Sequence, residues 1–179
     1  MFRQAQPGDL DQIAAIYDRI LDQEEAGLST VGWVRGVYPT RQTAAESIRT
    51  GDMFVAEEDG VIVAAAKINQ EQVPEYDRAA WTVAAPPEDV MVLHTLVVDP
   101  QRKGRGYGSR FVAFYESYAQ AHHCRCLRMD TNERNAAARA LYRGLGYAEV
   151  SIVGCSFNGI PGVQLVCLEK ILDTEGVAR

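Results

Sequence analysis

Apolar residues recur along this chain at two different spacings, helical in some stretches and alternating or unbroken in others. Leu10, Ile13, Ala14, Tyr17 and Leu21 fall on one helical face and predict a helix over 9–24, with Asp9 and Gln12 resembling a capping box at its start. Gly27 to Pro39 reads as a loop. A second helix is predicted over 40–50 and stopped by Gly51. Met53–Glu57 and Val61–Asn69 are rich in strand formers, and Asp59-Gly60 between them is a hairpin signal. From Pro74 to Asp89 the pattern is irregular, and Pro86-Pro87 forbids regular structure there.

Val90–Val98 is apolar at every step except His94 and Thr95, the pattern of a central strand covered on both faces. Asp99-Pro100 stops it. After a glycine-rich turn, Phe111, Phe114, Tyr115, Tyr118 and Ala119 mark one face of a helix. Cys126–Met129 is predicted as a strand, and 135–143 as an alanine-rich helix ended by Gly144–Gly146. Tyr147–Cys155 and Val163–Lys170 form a last strand pair around Asn158-Gly159-Ile160-Pro161-Gly162. The order β-α-α-β-β-β-α-β-α-β-β describes one α+β domain over residues 1–179, built on a mixed, mostly antiparallel sheet. An exposed edge strand near the C-terminus could pair with a second copy as a homodimer.

Composition adds exclusions. No stretch approaches about 18 consecutive apolar residues, so no membrane helix is expected. Met1–Gln6 is not followed by the apolar segment of a signal peptide, which leaves a cytoplasmic location as the expectation. The net charge of −6 argues against nucleic acid as a partner but not against a small anionic ligand held by local charge. The cysteines at 124, 126, 155 and 167 show no repeated CxxC spacing and read as reduced, buried thiols. His122-His123-Cys124-Arg125-Cys126 lacks a second ligand pair at zinc spacing, so no metal is expected; Cys124 and Cys126 would share one strand face.

The turn Gln101-Arg102-Lys103-Gly104-Arg105-Gly106-Tyr107-Gly108-Ser109 carries the most specific chemistry. Three glycines at alternate positions clear side chains from a helix N-terminus, where backbone N–H groups and the helix dipole favour an anion. Arg102, Lys103, Arg105 and Arg110 make the segment basic. It matches neither a Walker A loop nor a dinucleotide fingerprint. A plain structural turn with solvated arginines is the alternative.

With Gln101, Gly104 and Gly106 in place, the turn resembles the Q/R-x-x-G-x-G/A signature of the GNAT family of N-acetyltransferases. Leu96-Val97-Val98-Asp99-Pro100 resembles that family's lead-in strand. Asn135, Ala138, Leu141, Tyr142, Leu145, Gly146 and Tyr147 resemble its N-x-x-A-x-x-L-Y-x-x-x-G-F/Y element. The resemblance implies the GNAT fold, with about seven strands and about four helices. It also implies acetyl-CoA as cosubstrate, in a cleft where Val90–Val98 splays from Cys126–Met129. Amides from Lys103 to Ser109 (Lys103, Gly104, Arg105, Gly106, Tyr107, Gly108, Ser109) would meet its pyrophosphate. Leu96, Val97 and Val98 would hold the pantetheine arm like an added strand. A backbone N–H there would polarise the thioester carbonyl. The implied reaction is direct transfer of the acetyl group to an amine of a small molecule or peptide. A non-catalytic acyl-CoA sensor of the same fold is the alternative.

Tyr142 falls on the tyrosine that family members use as general acid; packing beside Leu141 and Leu145 is its structural alternative. His94 stands four residues before Val98, where many members carry a glutamate base. Its imidazole could take a proton from an ammonium, or it could be a buried histidine bonded to a neighbouring strand. Asn135 is expected to cap the next helix or touch the cofactor. Glu24, Glu25, Trp33, Tyr38 and Trp81 are the candidates for receiving a cationic amine, as against solvated carboxylates and core aromatics.

Overall fold

The structure is a computed structural model that describes residues 1–172; residues 173–179 of the expected domain lie outside that description. Seven strands form one sheet in the order β1-β2-β3-β4-β5-β7-β6. They are β1 (Phe2–Gln4), β2 (Met53–Glu58), β3 (Val61–Asn69), β4 (Val90–Val98), β5 (Cys126–Asn132), β6 (Ala148–Phe157) and β7 (Ile160–Ile171). Every pairing is antiparallel except β4 with β5. Four helices complete the fold: α1 (Leu10–Glu25), α2 (Arg41–Arg49), α3 (Tyr107–Ala121) and α4 (Ala136–Gly144). The mixed, mostly antiparallel α+β architecture expected from the sequence is thus borne out.

Strand alternation assigns the two faces. Met91, Leu93, Leu127 and Met129 pack with Phe111 and Tyr115 of α3 and Tyr142 of α4. On the opposite face, Val55, Ile62 and Val97 meet Ile13, Ile16 and Ile20 of α1 and Ala44 of α2. Also on that face, Val90, Val92, Cys126, Leu165 and Cys167 are covered by Tyr76 and the segment around it. A buried ion pair fixes that segment. Arg128 reaches Glu169 at 3.3 Å, stacks on the Trp81 ring at 4.3 Å and donates to the Val83 carbonyl at 2.8 Å.

Several local readings are corrected. Asp9 does not cap α1 by its side chain. It forms a capping box with Gln6 across a preceding 3-10 turn and pairs with Arg3 at 2.7 Å, which holds its carboxyl below the usual range. Gln12 instead accepts the Ile62 N–H at 2.9 Å. The β6–β7 turn is only Asn158-Gly159, both at positive φ; Pro161 and Gly162 belong to β7, opposite a bulge between Cys155 and Phe157. Cys124 precedes β5 and joins a different core cluster from Cys126, so the two do not share a strand face. Most important, β5 continues three residues past Met129, through Asp130, Thr131 and Asn132.

Candidate active site

β4 and β5 are paired only from Val90–Cys126 to Leu93–Met129. Beyond that point the strands part, because β4 is bulged. Lys67 of β3 faces His94 and Ala65 faces Val97, so Thr95 and Leu96 together oppose Ala66 alone. Thr95 carries the bend at φ +53, and its hydroxyl hydrogen-bonds the Tyr38 hydroxyl. The β5-facing backbone of Thr95–Val98 therefore has no strand partner, and a cavity of about 540 Å³ fills the split.

The glycine turn closes one end of this cavity. Asp99 anchors it: its carboxylate pairs with Arg19 of α1 at 3.0 Å and accepts the Gln101 N–H at 3.0 Å. Gly104 (φ +80) and Gly106 (φ +72) are left-handed, and a Cβ on either would meet nothing within 4 Å. Gly106 is the N-cap of α3, so the helix N–H groups open toward the cavity. Lys103, Gly104, Gly106, Tyr107, Gly108 and Ser109 line it, as do Leu96, Val97 and Val98; Arg105 does not. Arg105 lies 4.0 Å from Glu58, which also accepts the Tyr107 hydroxyl and lies 3.8 Å from Arg102. These partners hold the Glu58 carboxyl below its usual range. The turn thus has an acidic neighbour that the linear sequence does not reveal.

On the α4 side, Asn135 caps that helix by accepting the Ala138 N–H at 3.2 Å and also lines the cavity. Tyr142 lines it too, and burial pushes its hydroxyl above the ordinary tyrosine range. His94 does not line this cavity. It lines a second one of about 470 Å³, where its Nε2 lies 3.1 Å from the Asn69 amide oxygen. Burial and the Lys67 charge lower the imidazole to about 4.

Of the five residues proposed to meet the acceptor, the structure brings only Trp33 and Tyr38 to the cavity. Glu24 is committed to its own loop, accepting the Val31 and Gly32 N–H groups at 2.8 and 3.1 Å. Glu25 pairs with Arg35 at 2.8 Å. The Trp81 ring stacks on Arg128, and its Nε1 donates to the Tyr76 carbonyl at 2.9 Å. Glu24, Glu25 and Trp81 line neither cavity because each serves the frame.

Sequence reading missed Asp130. It lines both cavities, and its Oδ2 accepts the Tyr76 hydroxyl at 2.8 Å. Burial lifts its carboxyl to about 7, against the opposing pull of that hydrogen bond. By alternation Asp130 shares the face of Arg128, while Tyr142 belongs to a helix on the other face. They meet one cavity because the split passes through the sheet. No cysteine lines either cavity, and burial raises all four thiols. Among the described residues no group of His, Cys, Asp and Glu side chains comes together to hold a metal.

A parallel pair split by a bulge, ending in a glycine turn at a helix N-terminus, agrees with the comparison with known proteins. Residues 14–147 match the family model described as the acetyltransferase (GNAT) family. The chain belongs to that family. An uncharacterised N-acetyltransferase of Bacillus subtilis, YhfO, is 24% identical over 147 residues, covering 82% of this chain and 89% of its own. A GNAT acetyltransferase of Streptococcus agalactiae shares the fold of this GNAT chain at a TM-score of 0.80 and 23% identity, over 97% and 96% of the two chains. YncA of Salmonella typhimurium, solved with its cofactor acetyl-CoA, shares it at 0.68 and 18%, over 99% and 96%. Among the described residues no helix is long and apolar enough to cross a membrane.

Proposed function

We propose that this GNAT chain moves the acetyl group of acetyl-CoA to the amine of a small molecule or peptide by direct attack. The observation that carries the proposal is the cavity in the β4–β5 split, continuous from the glycine turn to Tyr142. Its parts suit acetyl-CoA. The α3 N-terminus and left-handed Gly104 and Gly106 leave an uncovered set of N–H groups for a pyrophosphate. Arg102 and Lys103 add positive charge. The unpaired edge of β4 at Leu96–Val98 can hydrogen-bond a pantetheine arm as a strand would.

Bound acetyl-CoA supplies an activated thioester, whose C–S bond is exchanged for the C–N bond of an amide. The protein's share is positioning and proton handling. Tyr142, neutral across the working pH range, holds a proton at Oη for the departing sulfur and can recover one from the new amide nitrogen. Direct attack is supported by the thiols: a covalent relay needs an accessible, acidic thiol at the cavity, whereas three of these are buried, Cys155 is half-buried, and all four are raised and away from the cavity. The decisive test incubates the protein with acetyl-CoA and a panel of amines, reading free CoA and acetylated product. CoA binding without transfer to any amine would leave the sensor alternative standing.

A further inference from the structure

The two cavities share five residues: Tyr38, Thr95, Asp130, Phe157 and Asn158. Asp130 is the only carboxylate among them. We propose that Asp130 receives the ammonium group of the acceptor and takes its proton, and that the acceptor enters through the second cavity. This rests on the acetyltransferase reading above.

Among the described residues only Oδ2 of Asp130 is hydrogen-bonded, accepting the Tyr76 hydroxyl, and no fully buried side-chain oxygen is left unsatisfied, so Oδ1 is open to the cavities that Asp130 lines. Tyr76 is itself held: its carbonyl accepts the Trp81 indole N–H, and the two rings pack edge to face at 4.9 Å. That makes Tyr76 a positioning residue. The groups around Asp130 are Tyr76 and Glu75 from the covering segment, Cys155 of β6, Cys167 of β7, Tyr142 of α4 and Tyr38 of the α1–α2 loop. His94 of β4 faces the second cavity and is neutral at working pH. Among the described residues Asp130 has no cationic partner, so an incoming ammonium supplies the counter-ion that the site lacks.

The second cavity favours such a guest. Asp130, Glu46 and Glu71 line it; Glu46 is paired with Arg49 and Glu71 holds the Lys67 ammonium at 2.7 Å, which leaves Asp130 as the lining carboxylate without a cation among the described residues. Gln42 and Ser47 add neutral hydrogen-bonding groups. Its volume of about 470 Å³ suits a compact, polar, cationic amine or the end of a lysine-like side chain. In the proposed step one N–H bond of the ammonium breaks and an O–H bond forms at Oδ1. The electron pair stays on nitrogen as the attacking lone pair, and the proton later leaves to water through the second cavity. A carboxyl near 7 exchanges that proton readily at neutral pH, whereas His94, at about 4, is a weaker base and has Nε2 engaged.

Two readouts test this. The first is the pH dependence of kcat/KM for the acceptor at saturating acetyl-CoA, which reports groups of the acceptor-free site, with the best acceptor from a panel of alkyl diamines, amino-acid amides and lysine peptides. The acid limb should fall near pH 7. Asp130→Asn should lower kcat by about 10²- to 10⁴-fold and abolish the limb. Tyr76→Phe should move the limb to higher pH, because the carboxylate loses a stabilising donor. His94→Gln should leave the limb where it is. The second readout is a carboxyl-carbon NMR titration of the protein without acetyl-CoA. One aspartate should titrate near 7, vanish in Asp130→Asn and move up in Tyr76→Phe. A wild-type limb in Asp130→Asn, a limb removed by His94→Gln, or no aspartate titrating near 7 would overturn the proposal. Absence of transfer to every amine would overturn the acetyltransferase reading and this proposal with it; the titration tells the two failures apart.

Discussion

Gly32 offers a quantitative test of how the α1–α2 loop closes the cleft. It sits at φ +78, and a Cβ there would lie 2.3 Å from Nδ2 and 3.0 Å from Cγ of Asn132, at the end of β5. Thr30 ties the same loop across the split by donating to the Arg134 carbonyl at 2.8 Å. Gly32→Ala therefore has two consequences. Left-handed backbone costs an L-residue about 1–2 kcal/mol. Asn132 must also swing away, which breaks the hydrogen bond its side chain accepts from the Arg134 N–H at 3.0 Å, a loss of about 0.5–1.5 kcal/mol. The sum is roughly 1.5–3.5 kcal/mol. Gly36 is the internal control: it has φ +74 in the same loop, and a Cβ there meets nothing within 4 Å. Urea unfolding should show Gly36→Ala losing the backbone part alone and Gly32→Ala losing both. Adding Asn132→Ala should cancel the difference between them. Calorimetry should also show weaker acetyl-CoA binding for Gly32→Ala, since Gly32 and Asn132 both line the cavity. If the two alanine variants agree within about 0.3 kcal/mol, the loop does not rest on β5 as described.

Three further outcomes are expected. Tyr142→Phe should lower kcat by about 10²- to 10⁴-fold while calorimetry finds acetyl-CoA affinity unchanged. Arg128→Met leaves Glu169 charged, buried and unpaired, so urea unfolding should show a loss of about 3–5 kcal/mol. Asp130 ionises near 7 in the folded chain and near 4 unfolded, so its contribution to stability falls as pH rises between those values. Asp130→Asn should therefore match the wild type at pH 4 and exceed it at pH 8 by up to about 4 kcal/mol, read as a higher Tm.

The legible parts of the molecule are those fixed by local physics. Helical and strand periods differ enough that 10–21 and 90–98 declare themselves, and the glycine turn carries its chemistry within nine consecutive residues. Asp130 was hidden because the apolar signal stops at Met129. The last residues of β5 face an open split, so they are polar, although their alternation with Cys126 and Arg128 continues. The position itself was the available signal, since ligands in such sheets gather beyond the carboxyl ends of parallel strands. Glu24, Glu25 and Trp81 misled for the converse reason. Their types suit an amine site, but their partners, the Val31 and Gly32 amides, Arg35 and Arg128, are set by tertiary packing. Glu58 joined the basic turn across the sheet, a contact that no spacing encodes.

The central claim is that the β4–β5 split binds acetyl-CoA and delivers its acetyl group to an amine. The most direct measurement is mass spectrometry of an amine panel after incubation with the protein and acetyl-CoA, alongside free thiol release. The expected result is an N-acetylated product formed in step with CoA, at a rate lowered about 10²- to 10⁴-fold by Tyr142→Phe or Asp130→Asn. Acetyl-CoA binding with no acetylated product on any amine would contradict it.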